Sequence, residues 1–134
     1  MKKHRTPIQI RFKDVDALGH VNNANHLTYF ETARIDYFRA VISVPIDWET
    51  EGMILKHQSV DYKKPILLND QIAVDTWFVR AGNTSFELHY SLVRINKDGS
   101  ETEMASGTSI IVCYNYKEQR TTPVPKIWVE KMGM

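Results

Sequence analysis

The spacing of apolar and polar positions changes along the chain, and the changes mark out its elements. Ile8, Ile10 and Phe12 alternate with Gln9, Arg11 and Lys13, which predicts a half-buried first strand over Ile8–Lys13. A polar, glycine-containing loop follows from Asp14 to Asn23. From Ala24 to Val41 the apolar positions move to three-and-four spacing. Leu27, Phe30, Ala33 or Arg34, Tyr37, Phe38 and Val41 make one helical stripe, rich in aromatic rings. Asn22 and Asn23 stand where a helix cap belongs, because an asparagine side chain can accept a free N–H of the first turn.

Beyond a loop marked by Pro45 and Gly52, the pattern is β throughout. Met53–Lys64 reads as a strand closed by Pro65, and Gln71–Arg80 as a second with Ile72, Val74, Thr76 and Phe78 on one face. Ala81–Thr84 is a turn, and Ser85–Ile95 a third strand with Phe86, Leu88, Tyr90 and Leu92 on one face. Asn96-Lys97-Asp98-Gly99 is a hairpin turn, since Asp-Gly tolerates positive φ, and Glu101–Tyr116 forms a long last strand. Pro125–Met132 suits a short terminal helix with proline at its start. An antiparallel sheet beside one long helix must bury its apolar face on that helix. The expected class is therefore α+β, with about five strands wrapped round a central helix.

Composition narrows the possibilities. The chain has 134 residues, enough for one core and a single domain over 1–134. Its 17 basic and 16 acidic residues give a net charge of +1, too balanced for a nucleic-acid or anionic-membrane partner. Cys113 is the single cysteine, so no intramolecular disulfide forms. The basic start Met1–Arg5 is not followed by an apolar run, which argues against a secretory signal. A cytoplasmic location is expected. The histidines at 4, 20, 26, 57 and 89 show no ligand spacing, and no phosphate-loop or dinucleotide motif is present, so no metal is expected.

The chemistry lies in Lys13–Ala33, KDVDALGHVNNANHLTYFETA. The run D-x-D-x-x-G-H-V-N-N-A, followed by a helix bearing Y-F-E-x-A-R, closely resembles the 4-hydroxybenzoyl-CoA thioesterase branch of the hotdog superfamily. Tyr62-Lys63-Lys64-Pro65, Asn69-Asp70 and Gly82-Asn83-Thr84-Ser85-Phe86 echo the same family. The resemblance implies a hotdog fold and hydrolysis of an acyl-CoA thioester. It makes Asp16 the catalytic carboxylate and the Asn23 backbone N–H an oxyanion donor. CoA would be part of the substrate, with no further cofactor.

Physical chemistry is compatible with that assignment, although an aspartate just before a helix also reads as a cap or turn residue. A thioester carbonyl needs an attacking oxygen and a donor for the charge that develops on its own oxygen. Asp16 can act as general base on water or as nucleophile. The first N–H groups of a helix have no partners within it and sit at the positive end of its dipole. His20 either orients water, contacts substrate or holds the loop by a hydrogen bond. Asp14 reads as a loop residue or ion-pair partner, and Glu31 with Arg34 as a helical ion pair, with Glu31 the reserve carboxylate. By resemblance, Arg80, Asn83, Thr84 and Ser85 contact the pantetheine arm or phosphates of CoA; a plain hairpin turn is the other reading. Cys113, in an apolar strand, reads as an inert core residue.

Two alternatives stay open: a thioesterase acting on acyl carrier protein, and a non-catalytic hotdog module that binds an acyl ligand. Plant acyl-ACP thioesterases also keep an aspartate and histidine four apart, as Asp16 and His20 are, but have an asparagine where this chain has Leu18. A hotdog hydratase would need a spacing of five. A small sheet with exposed edges invites pairing with another copy, so a homodimer or homotetramer is expected, with sites at the subunit boundary.

Overall fold

The computed structural model describes residues 2–133; Met1 and Met134, the outer residues of the expected domain, lie outside the described residues. Strand β1 (His4–Ile8) leads through a 3-10 turn (Phe12–Asp14) to helix α1 (Ala24–Tyr37), which ends in a wider turn (Phe38–Ile42). Strands β2 (Gly52–Tyr62), β3 (Ile72–Ala81), β4 (Ser85–Ile95) and β5 (Glu101–Asn115) follow. A two-residue β6 (Arg120–Thr121) and helix α2 (Lys126–Gly133) complete the chain. The strands form one antiparallel sheet in the order β1-β3-β4-β5-β2, with β6 paired to β5. This is the expected α+β hotdog architecture, a curled sheet carrying one long helix, with a short sixth strand added.

The core lies between α1 and the concave face of the sheet. Tyr29, Phe30, Ala33 and Tyr37 of α1 pack with Ile72 and Val74 of β3, Phe86, Leu88, Tyr90 and Leu92 of β4, and Ile111 of β5. The period-two faces expected for β3 and β4 are the ones buried. Helix and sheet come so close at Gly107 that an added Cβ would lie 2.5 Å from Phe30 Cε2 and 2.8 Å from the Ser59 carbonyl oxygen. Only glycine fits there.

Two expectations need correction. The first strand is His4–Ile8 and not Ile8–Lys13: the chain leaves the sheet after Ile8, and Phe12 is 84% exposed. β1 is an edge strand, where Pro7 can lack its N–H without breaking a ladder. Its inward residue is the polar Thr6, whose hydroxyl donates to Asp36 on α1 at 2.7 Å, so apolar alternation could not reveal it.

The helix stripe is buried at Phe30, Ala33, Arg34, Tyr37 and Phe38 as expected, but departs from expectation at its start. Leu27 is 39% exposed, while His26, Tyr29 and Arg34 are buried. Their polar tips reach into the protein, and Tyr29 and Arg34 find partners there. Among the described residues no helix is long and apolar enough to cross a membrane.

Candidate active site

The loop between β1 and α1 is held by one buried carboxylate. Asp14 is 1% exposed, and its Oδ2 accepts the Tyr29 hydroxyl at 2.7 Å and the Arg11 backbone N–H at 3.0 Å. The Arg11 guanidinium donates to Oδ1 from Nη2 at 3.0 Å and Nε at 3.2 Å. Burial opposes the charge, but the bonds from Arg11 and Tyr29 outweigh it and hold the Asp14 carboxyl below its ordinary range. The Tyr29 hydroxyl is pushed the other way, by burial first and by its bond to Asp14 second. The Asp14 carbonyl also accepts the Asn22 N–H at 2.8 Å and the Asn25 side-chain amide at 3.0 Å. Asp14 thus ties the loop to the first two turns of α1.

Asp16 projects from the tip that this frame creates. Val15 and Val21 pair as a short antiparallel bridge, with the turn Asp16–Gly19 between them. The Asp16 N–H donates to His20 O at 2.9 Å, and the Gly19 N–H to Asp16 O at 3.0 Å. Gly19 has φ +83°, a conformation that glycine adopts freely. One Asp16 carboxylate oxygen accepts the Leu18 N–H at 2.9 Å, while the exposed carboxylate keeps its other oxygen unpaired among the described residues. The far side of the loop is pinned by Val21 N–H to Ile66 O at 2.8 Å and by a His20–Leu67 bridge.

The loop runs directly into the start of α1. Asn22 Oδ1 accepts the Ala24 N–H at 2.9 Å, and Asn22 O the Asn25 N–H at 2.9 Å. Asn23 makes no side-chain cap, and among the described residues its N–H has no acceptor. Its carbonyl accepts the Tyr62 hydroxyl from the end of β2 at 2.9 Å. Tyr62 packs edge-on against His26, with ring centroids 4.8 Å apart. His26 is buried with Nδ1 unpartnered, and desolvation lowers its pKa despite an opposing pull from the backbone of Asn22 and Asn23. His20, Asn23, His26, Tyr62 and Lys64 line a small cavity of about 250 Å³.

The structure therefore brings Asp16, His20 and Asn23 into one loop and helix start. It does not bring the Arg80–Ser85 turn to them within the chain. Tyr62, which bonds Asn23, is level with Val74 in the sheet register, and the turn lies past the far end of β3 at Ala81, roughly 23 Å along the strand. Arg80 is exposed and lies 3.5 Å from Glu87, Asn83 O accepts the Val124 N–H at 2.9 Å, and Thr84 O the Cys113 N–H at 2.8 Å. Glu31 stands 3.9 Å from Arg34 on the exposed side of α1, and Cys113 is fully buried, with its thiol pushed up to about 11 by burial. Sequence reasoning missed the roles of Tyr29, His26 and Tyr62. Tyr62 stands out in its Tyr-Lys-Lys-Pro run, but only the folded chain places its hydroxyl on Asn23. Among the described residues no cluster of three or more His, Cys, Asp or Glu side chains could hold a metal ion.

A curled antiparallel sheet on one long helix is the hotdog architecture, and here a loop that bears an exposed carboxylate enters that helix. The sequence profile of the thioesterase-like superfamily matches residues 10–131, and the chain belongs to that family. A thioesterase of Thermus thermophilus, solved with coenzyme A and Zn, is 35% identical, with a TM-score of 0.77 over 96% of this chain and 90% of that one. The acyl-CoA thioester hydrolase YbgC of Escherichia coli O6:H1 is 22% identical over 124 residues, 91% of this chain and 90% of its own. A 4-hydroxybenzoyl-CoA thioesterase solved with 4-hydroxybenzoyl-CoA shares the fold, with TM-score 0.88 at 18% identity, covering 98% and 99% of the two chains.

Proposed function

We propose that the chain hydrolyses an acyl-CoA thioester to a carboxylic acid and free CoA, with Asp16 as the catalytic carboxylate. One observation carries the reading: a solvent-facing carboxylate and an acceptor-free helix N–H, that of Asn23, are fixed by the same short loop. Asp16 takes a proton from water as the oxygen attacks the carbonyl, or attacks directly and leaves an anhydride for water to open. In the first route the sulfur leaves with the proton that Asp16 took from water. In the second it leaves as thiolate and is protonated by solvent. In both, the carbonyl oxygen gathers charge facing the Asn23 N–H. His20, between the two, orients water or substrate. No resident metal or cofactor is needed for this chemistry.

The second part of the reading is a homodimer, with CoA held across its boundary. β2 is an eleven-residue edge strand whose outer side has no partner among the described residues, a geometry that pairs readily with a second copy. In a two-fold antiparallel pairing, the Gly52 end of one β2 meets the Tyr62 end of the other. The Arg80–Ser85 turn lies at the Gly52 end, because Ser85 pairs with Val112, and Val112 with Ile54. Such pairing carries the partner's turn toward the Asp16 end of this chain, so Arg80, Asn83, Thr84 and Ser85 would serve the neighbouring site. The balanced charge and lone cysteine support a cytoplasmic setting.

The test is thiol release from short, medium, long and aromatic acyl-CoAs by the wild type and Asp16→Asn, with molecular mass measured in solution. At least one substrate is turned over, the variant loses about 100-fold in kcat, near 2.7 kcal/mol of transition-state stabilisation, and the mass is at least twice 15.6 kDa. A folded Asp16→Asn as active as wild type removes Asp16 from the chemistry. A monomer removes the shared-site part.

A further inference from the structure

His26, the third residue of α1, is a titratable group that the proposed chemistry does not use. The residue is 2% exposed, and its Nδ1 has no hydrogen-bond partner among the described residues. Its ring stands edge-on to Tyr62 at 4.8 Å and tilted to Tyr29 at 6.4 Å. Both neighbours are already committed: Tyr29 gives its hydroxyl proton to Asp14, and Tyr62 gives its own to the Asn23 carbonyl. His26 therefore packs against the two phenols that fix the loop and the helix start.

A proton on this ring has nothing to neutralise it. On α1 the ring lies in the first turn, at the positive end of the helix dipole. The cavity beside it is lined by His20 from the loop and by Lys63 and Lys64 after β2, with no carboxylate in its wall. Glu103 is paired with Lys63, and Asp14 is held by Arg11 and Tyr29, so neither acid serves His26. Burial lowers the His26 pKa, and the backbone of Asn22 and Asn23 pulls it back part of the way. Those carbonyls are the acceptors open to a charged ring. The Asn23 carbonyl is the one that Tyr62 occupies.

We propose that His26 is a positioning residue whose protonation switches the site off. The neutral ring braces Tyr62 and, through it, the Asn23 backbone. The charged ring draws the Asn23 carbonyl to itself and displaces the Tyr62 hydroxyl, which re-aims the backbone that presents the Asn23 N–H. The inference deepens the hydrolase reading. It rests on that reading for the effect on rate, but not for the coupling between ring and backbone.

The test has two arms. In the first, kcat and KM for an acyl-CoA are followed from pH 7.5 to pH 5 in wild type, His26→Phe and His20→Gln. The wild type loses about ten-fold in kcat with KM nearly fixed, and His26→Phe, whose ring takes no proton, loses about two-fold. His20→Gln is slower at every pH but keeps the wild-type fall. In the second arm, proton–nitrogen NMR spectra without substrate show the Asn23 amide shifting in step with the His26 ring. A His26→Phe that keeps the wild-type fall overturns the proposal, as does a His20→Gln that loses it. So does an Asn23 amide that stays still while His26 titrates, or a His26 ring that takes no proton down to pH 5. The spectra decide the matter even if His26→Phe does not fold. A chain that couples ring and amide but cleaves no acyl-CoA keeps the coupling and loses the hydrolase reading.

Discussion

The Tyr29 hydroxyl donates to Asp14 Oδ2 at 2.7 Å, and this bond joins the loop that carries Asp16 to the second turn of α1. Both groups are buried, so each depends on the other. A carboxylate out of water needs its donors, and the hydroxyl would otherwise be a buried polar group without an acceptor.

Removing that donor therefore costs more than one surface bond. Tyr29→Phe should lower unfolding stability at pH 7 by about 1–3 kcal/mol, measured by urea denaturation. The Asp14 carboxyl titrates below its ordinary value of 3.8 in the folded chain, so its ionised form favours folding. That contribution is fully present above the ordinary value and is lost as pH falls through the lower folded value. The gap between wild type and Tyr29→Phe should narrow over that same acidic range, because a protonated Asp14 gains less from the hydroxyl. Asp36, held down by the Thr6 hydroxyl and then His4, adds acid sensitivity that both proteins share. Equal stability of the two proteins at pH 7 would remove Tyr29 from the anchoring role.

How much of this is legible in the sequence depends on whether a feature is local. The alternation predicts β4 over Ser85–Ile95 and the strand is found there, because period-two burial and turn residues at both ends are properties of the segment itself. Asp16 and Asn23 share one loop and helix start, so their proximity follows from sequence distance. β1 escapes the pattern because its inward residue is a threonine whose bond lies on α1, thirty residues away. The helix stripe departs from the pattern at its start, where His26 is buried with a polar ring and Leu27 is not, and an apolar pattern cannot show which polar residues will be buried. The separation of Arg80 from Asp16 arises from strand register and packing, which no local spacing encodes.

The contact at Gly107 makes a sharp demand on packing. Gly107→Ala places a methyl against the Phe30 ring and the Ser59 carbonyl, and the carbonyl belongs to the neighbouring strand β2. Neither can yield without moving the helix off the sheet or opening the β2–β5 ladder. The variant should lose about 1–3 kcal/mol, seen as a lower midpoint in thermal denaturation. An unchanged midpoint would mean that α1 sits farther from β5 than described.

Tyr62 offers the finest test of the site, because its hydroxyl touches the Asn23 peptide and not the reacting atoms. The bond to the Asn23 carbonyl, 2.9 Å long, and the edge contact with His26 fix the backbone that also presents the Asn23 N–H. Tyr62→Phe keeps the ring against His26 and deletes only the bond. If the hydroxyl positions the oxyanion donor, kcat should fall several-fold while KM stays near its wild-type value, since an interaction felt only in the transition state leaves ground-state binding alone. A purely structural role gives a different result: a lower thermal midpoint, with the kcat of the folded fraction unchanged. Tyr62→Ala removes ring and hydroxyl together and should show both losses. A Phe variant with wild-type kcat would place the control of Asn23 wholly within its own loop, in the bonds that Asn22 makes to Ala24 and Asn25.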